Sequence, residues 1–95
     1  MKKAAFLEML APIVADYRNR DYSFWLPYVA SSEPIVSYPV AADGTKCCVE
    51  INAFWDSKPD GDVRVTFDID DGGLRALIPI GTDFIIASDG RFVGE

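Results

Sequence analysis

A chain of 95 residues with 49% hydrophobic and 25% charged side chains has room for one small core and no second domain. Six Phe, four Tyr and two Trp exclude a disordered chain, which could not bury that aromatic load. A formal charge of −6 excludes a binder that neutralises nucleic-acid phosphates or an anionic membrane surface, since either mode needs a face rich in Lys and Arg.

The charge is unevenly placed. Residues 1–48 carry five basic and five acidic side chains, whereas residues 49–95 carry four basic and ten acidic ones. A positively charged partner would meet the second half. The two cysteines, Cys47 and Cys48, are adjacent. Neighbours on a strand point to opposite faces, so a disulfide between them is geometrically unfavourable, and a reducing, cytoplasmic setting is expected. The start "MKKAAFLEMLAPIVA" faintly has the form of a secretory leader, but Glu8 interrupts the apolar run and an amphipathic helix is the better reading. No run reaches the length of a transmembrane helix.

In chain order, Phe6, Met9, Leu10, Ile13, Val14 and Tyr17 recur at three- and four-residue spacing, the stripe of a core-facing helix. Pro12 lies inside it, where a missing N–H predicts a kink or a restart. Next, Asp21 is a suitable N-cap for a short second helix through Tyr22, Phe24, Trp25 and Tyr28, ending at Ser31-Ser32-Glu33-Pro34.

From Ile35 the period changes to two, and Asp-Gly recurs at 43–44, 60–61, 71–72 and 89–90. Asp-Gly between alternating apolar runs signals hairpins, type I′ turns in the simplest case. The prediction is an α+β domain over residues 1–95: helical in 1–31, then a four- to five-stranded antiparallel meander in 35–95. Ile35 to Val40 is left open as a first edge strand. Across "DSKPDGD" the apolar faces match when Ile51 opposes Phe67 and Trp55 opposes Val63, which puts Cys47, Val49, Ile51, Ala53 and Trp55 on one face. A tight turn at Asp71-Gly72 would then pair Asp68 with Arg75 and Val65 with Ile78. A further turn at Gly81-Thr82 would pair Ile80 with Asp83 and Ile78 with Ile85, and one at Asp89-Gly90 would pair Ala87 with Phe92.

In that register the other sheet face collects Phe54, Arg64, Leu77, Pro79, Phe84 and Ile86. Either the segment Tyr22 to Tyr28 covers this patch or it is open to a partner.

Catalytic and metal motifs are scarce. Without histidine there is no Ser-His-Asp or Cys-His nucleophile and no His-containing zinc site. The stretch "TFDIDDGGLR" suggests a calcium loop from Asp68, but the fifth position is Gly72 and the twelfth, where a bidentate Glu belongs, is Pro79. Glu50 and Asp68 are potential cross-strand carboxylates, yet an open sheet face does not enclose a reaction. No cofactor is expected.

A helical N-terminus followed by a curved meander, with "NRDYSFWLPYVA" after the first helix, resembles the cystatin-like and nuclear-transport-factor-like α+β domains. The resemblance implies a sheet wrapped on a helix and, in many such domains, a small-molecule site between the two. Tyr17, Trp25, Trp55 and Phe67 would line it.

Two functional expectations follow. The first is a small non-enzymatic protein of inhibitor, immunity or accessory type, engaging through one sheet face either a protein with a basic or mixed surface or a second copy of itself. The alternative is a ligand-binding or enzymatic domain built on the aromatic pocket.

Overall fold

The computed structural model describes residues 1–73 and 79–95. Two helices, α1 (Lys3–Tyr17) and α2 (Tyr22–Ser31), precede four strands, β1 (Ile35–Ser37), β2 (Cys48–Trp55), β3 (Val63–Asp70) and β4 (Ile80–Ile86). The strands form one antiparallel sheet in the order β1-β2-β3-β4. This is the predicted α+β meander, and Ile35 to Ser37 is its first edge strand.

Pro12 lies within α1 and Pro27 within α2, and each helix runs on through its proline. The α2 start is held as expected: the Asp21 carboxylate accepts from the Phe24 N–H at 3.0 Å, satisfying an otherwise orphaned donor. Its end passes through Ser32 in the left-handed region, with φ at 58°. Tyr22 then ties the helix to the sheet by donating its hydroxyl hydrogen to the Gly61 carbonyl at 2.7 Å.

Both helices lie on the same side of the sheet, α1 across β3 and β4 and α2 across β2 and β3. Their apolar stripe meets Val49, Ile51, Val63, Val65, Phe67 and Ile69, with Phe6, Leu10 and Trp25 fully enclosed between the layers. A run of aromatic contacts spans the interface, Tyr17 to Trp25 at 5.7 Å, Trp25 to Phe84 at 6.2 Å and Phe67 to Phe84 at 5.6 Å between ring centroids. Such pairs add about 0.5–1.5 kcal/mol each beyond area burial. The Trp25 indole N–H finds no acceptor there. The segment Tyr22 to Tyr28 therefore reinforces the inner layer and does not cover the second sheet face.

Between β2 and β3 the register is the predicted one, Ile51 opposite Phe67 and Trp55 opposite Val63. The β3–β4 pairing differs. Ile69 opposes Ile80, Phe67 opposes Thr82 and Val65 opposes Phe84, so Gly81-Thr82 lies inside a continuous strand and makes no turn. The pairings expected for Leu74 to Ile78, including Asp68 with Arg75, lie outside the described residues. The reason for the difference is burial. A turn at 81–82 would place Phe84 and Ile86 on the outer face, whereas a continuous strand puts Ile80, Phe84 and Ile86 on the helix side, at 8%, 3% and 1% exposure. Full burial of side chains of this size is worth about 1.5–3 kcal/mol each, more than a turn preference contributes.

Asp43-Gly44 and Asp89-Gly90 do make turns, but of a different type from type I′. In both, a five-residue loop closes with the Ala41 N–H donating to the Thr45 carbonyl at 2.8 Å and the Ala87 N–H to the Arg91 carbonyl at 2.9 Å. Only the glycine of each has positive φ, 88° in both cases, and each Asp side chain accepts from the backbone N–H two residues on at 2.9 Å. This is a type I turn followed by a left-handed glycine. The extra loop residue moves the last pairing by one, so Phe92 bridges Ile86 rather than Ala87.

Phe84→Ala is expected to destabilise the fold by about 3–5 kcal/mol, the range for buried aromatic truncations, as read from urea unfolding. A loss near zero would return Phe84 to the outer face and overturn the continuous β4 strand.

Candidate functional site

The outer face of the sheet carries the side chains that alternate with the core. They are Val36 on β1, Cys48, Glu50, Asn52 and Phe54 on β2, Arg64, Thr66, Asp68 and Asp70 on β3, and Gly81, Asp83 and Ile85 on β4. Each of β2, β3 and β4 exposes one edge of its pleat here while burying the other against the helices.

Cross-strand rows organise this face. Phe54 opposes Arg64, which opposes Ile85, so a 44% exposed aromatic ring, a guanidinium and a half-buried aliphatic side chain lie side by side. Arg64 is clamped: its Nε donates to Asp56 at 2.9 Å and its other arm to Asp83. Both carboxylates hold its proton more firmly than usual, Asp56 contributing most.

The next row is Val36, Glu50, Asp68 and Gly81. Asp68 lies against Gly81, where an added Cβ would stand 2.5 Å from the Asp68 Oδ1 and 3.1 Å from the Phe67 carbonyl oxygen. The missing side chain leaves an open hollow of about 360 Å³ lined by Thr66, Asp68, Gly81, Thr82 and Asp83. Burial first, and the facing Glu50 second, push the Asp68 carboxyl above its usual pKa. Cation contacts to this carboxyl are absent among the described residues, and Arg64, four residues away on the same face of β3, is engaged by Asp56 and Asp83.

Of the residues expected to form a partner surface, the structure brings Phe54 and Arg64 together. Pro79 is exposed just before β4, and Leu77 lies outside the described residues. Phe84 and Ile86 are corrected to the core, for the burial reason given above. Their places on the outer face are taken by Asp83 and Ile85. The signal for this was present in "IGTDFII": apolar side chains at 80, 84 and 86 alternate with Gly81 and Asp83, and reading Gly-Thr as a turn broke the alternation.

The four residues expected to line an aromatic pocket fare differently. Tyr17, Trp25 and Phe67 meet, but as packing, with Trp25 and Phe67 fully buried and Tyr17 6.1 Å from Phe67. Trp55 is half-buried at the end of β2 and belongs to none of the aromatic pairs formed by the other three. None of the four lines the hollow over Gly81, the groove between α1 and β4, or the hollow beside Asp21 and Ser88.

Both thiols are free. Cys47 points inward, its Sγ 3.7 Å from the Met1 sulfur and 4.0 Å from that of Met9. Burial raises its pKa, helped by Asp71, Asp43 and Asp70, and burial with Asp70 and Glu50 raises that of Cys48. Neither is a thiolate near neutral pH, which is the opposite of what a reactive cysteine needs. Among the described residues no group of three or more His, Cys, Asp or Glu is arranged to hold a metal ion, and no helix is long and apolar enough to cross a membrane.

Comparison with family models, with curated proteins and with solved structures returned no match.

Asp68 generates a pH prediction. Because its folded pKa is raised, the folded state binds more protons than the unfolded one through the carboxylate range, and its contribution to stability falls as pH rises. Asp68→Asn is therefore expected to raise the urea midpoint at pH 7, with the gain shrinking as pH drops and the wild-type carboxyl becomes protonated. A gain that stayed constant with pH would show that the effect is not electrostatic.

Proposed function

We propose that this chain is a small acidic, non-enzymatic protein of the cytoplasm that works by protein–protein contact through the open face of its sheet. The observation that supports this reading is the asymmetry of the layers. Both described helices lie on one side, and the other side presents exposed Phe54 and Val36, at 44% and 41%, among Glu50, Asp68, Asp70 and Asp83. Apolar anchors ringed by acids suit a partner whose own surface is basic or mixed, because desolvated aromatics supply affinity and complementary charge supplies orientation and on-rate. The roles envisaged are those of an inhibitor, an immunity protein or an accessory subunit. A second copy of the chain is a less favourable partner, since a two-fold axis would set one acidic sheet face against another.

The test is affinity capture from the source cells with wild-type and Phe54→Asp proteins, quantified by mass spectrometry, beside circular dichroism and sedimentation. A specific protein held by wild type and reduced about tenfold or more by Phe54→Asp, with the dichroism spectrum intact, supports the reading; truncation of a central aromatic anchor costs about 2 kcal/mol or more. A chain that captures nothing and stays monomeric over a wide concentration range would sink it.

A further inference from the structure

Among the described residues β4 is the last strand of the sheet, and one side of its backbone faces outward. Which groups face outward is fixed by the chain's own C-terminal segment. The Ala87 N–H donates to the Arg91 carbonyl at 2.9 Å, and the Val93 N–H donates to the Ile85 carbonyl at 2.8 Å. Residues 85 and 87 therefore turn their main-chain groups to the outside. In an antiparallel ladder this alternates strictly, so Asp83 and Gly81 do the same. Residues 91–93 already add a short strand to this edge, bridging Ile86 with Phe92. That segment is held by Arg18, which grips Glu95 through two hydrogen bonds of 2.8 and 2.6 Å and lies 3.9 Å over the Phe92 ring. The pairing stops there. Among the described residues nothing pairs with the outward groups of Gly81 and Asp83.

Two hollows of different chemistry flank this free stretch, and Thr82 lines both. On the outer side is the hollow of about 360 Å³ over Gly81, edged by Asp68 and Asp83. On the helix side is a groove of about 340 Å³ between α1 and β4, walled by Leu7, Ala11, Val14 and Ala15. An extended chain laid on a sheet edge sends successive side chains to opposite faces. One set would enter the apolar groove, and the other would pass over the carboxylates.

We propose that the Gly81–Asp83 edge of β4 takes up an extended segment of a partner protein in which apolar residues alternate with Lys or Arg, added as a further strand. This rests on the proposed protein-contact function and specifies the partner's chemistry. Main-chain hydrogen bonds set the register. The groove along α1 selects the apolar side chains, and Asp68 beside Glu50 selects the cationic ones.

The probe is a short peptide alternating valine and lysine, compared by fluorescence anisotropy and amide NMR with three controls: an alternating valine–glutamate peptide, a peptide of the same composition in blocks, and a valine–lysine peptide N-methylated on the pairing side. Only the unmodified alternating valine–lysine peptide is expected to bind, shifting the amides of Gly81 and Asp83. Asp83→Pro removes one outward N–H, and its proper reference is Asp83→Ala, which removes only the carboxylate. Proline should weaken binding about tenfold further, roughly the worth of one hydrogen bond with its geometry. If Asp83→Pro does not fold, the N-methylated peptide carries the same test on the wild-type protein. Equal binding of the block or N-methylated peptide, or no binding of the alternating one, overturns the proposal. So does a concentration-dependent dimer that Asp83→Pro abolishes, because the edge would then belong to a second copy. Partner capture that depends on Phe54 together with failure of the peptide would end this inference while leaving the protein-contact reading standing.

Discussion

The arrangement depends on one contact, the meeting of Phe84 with Phe67, Trp25 and Phe92 beneath the helices. In a strand, parity is all or nothing, so fixing Phe84 inward fixes Ile80 and Ile86 inward and Gly81, Asp83 and Ile85 outward. That choice decides which carboxylates share a surface. It also sets Gly81 opposite Asp68, where the absence of a side chain opens the hollow, and it places Thr82 between the acidic and the apolar sides of the same edge.

Much of this could be read from the residues. The two helices, the Asp21 cap, the core stripe of α1 and the β2–β3 register all followed from patterns with a single physical solution, because shifting β2 against β3 by one residue would expose Val49, Ile51 and Ala53 together. What could not be read was the competition between a local and a global preference. Gly81-Thr82 is a good turn dipeptide, and Asp71-Gly72 a better one. Two tight turns in succession looked self-consistent because they too kept apolar residues facing apolar residues. The observed β3–β4 pairing is displaced from the expected one by an even number of residues, so β3 keeps the same faces under either register. Pattern matching along β3 is blind to such a shift, and the parity of Phe84 and Ile86 is what separates the two.

The candidate surface was half legible for the same reason. Phe54 and Arg64 sit on strands whose register was correct, and they come together as expected. Asp83 and Ile85 were missed because they sit on the strand whose register was not. The acidity of the second half was visible from composition, but not its distribution. Four carboxylates converge on one sheet face, one of them left beside a glycine, and this is a property of pairing. The aromatic residues offered the converse lesson: Tyr17, Trp25 and Phe67 do assemble, yet they pack together between the layers and line none of the three hollows described.

The strand order follows the chain order, and this has a consequence for how the molecule is made. Each described strand pairs with its neighbour in the chain, so the sheet can zip up one hairpin at a time with only local loops to close. Helix α1 is the exception. It emerges during synthesis before β1 and β2, whereas the strands it covers, β3 and β4, come after them. Until β4 is complete its apolar stripe has no floor, and the nascent chain must carry Phe6, Leu10 and Ile13 uncovered while β1, β2 and β3 are still being made.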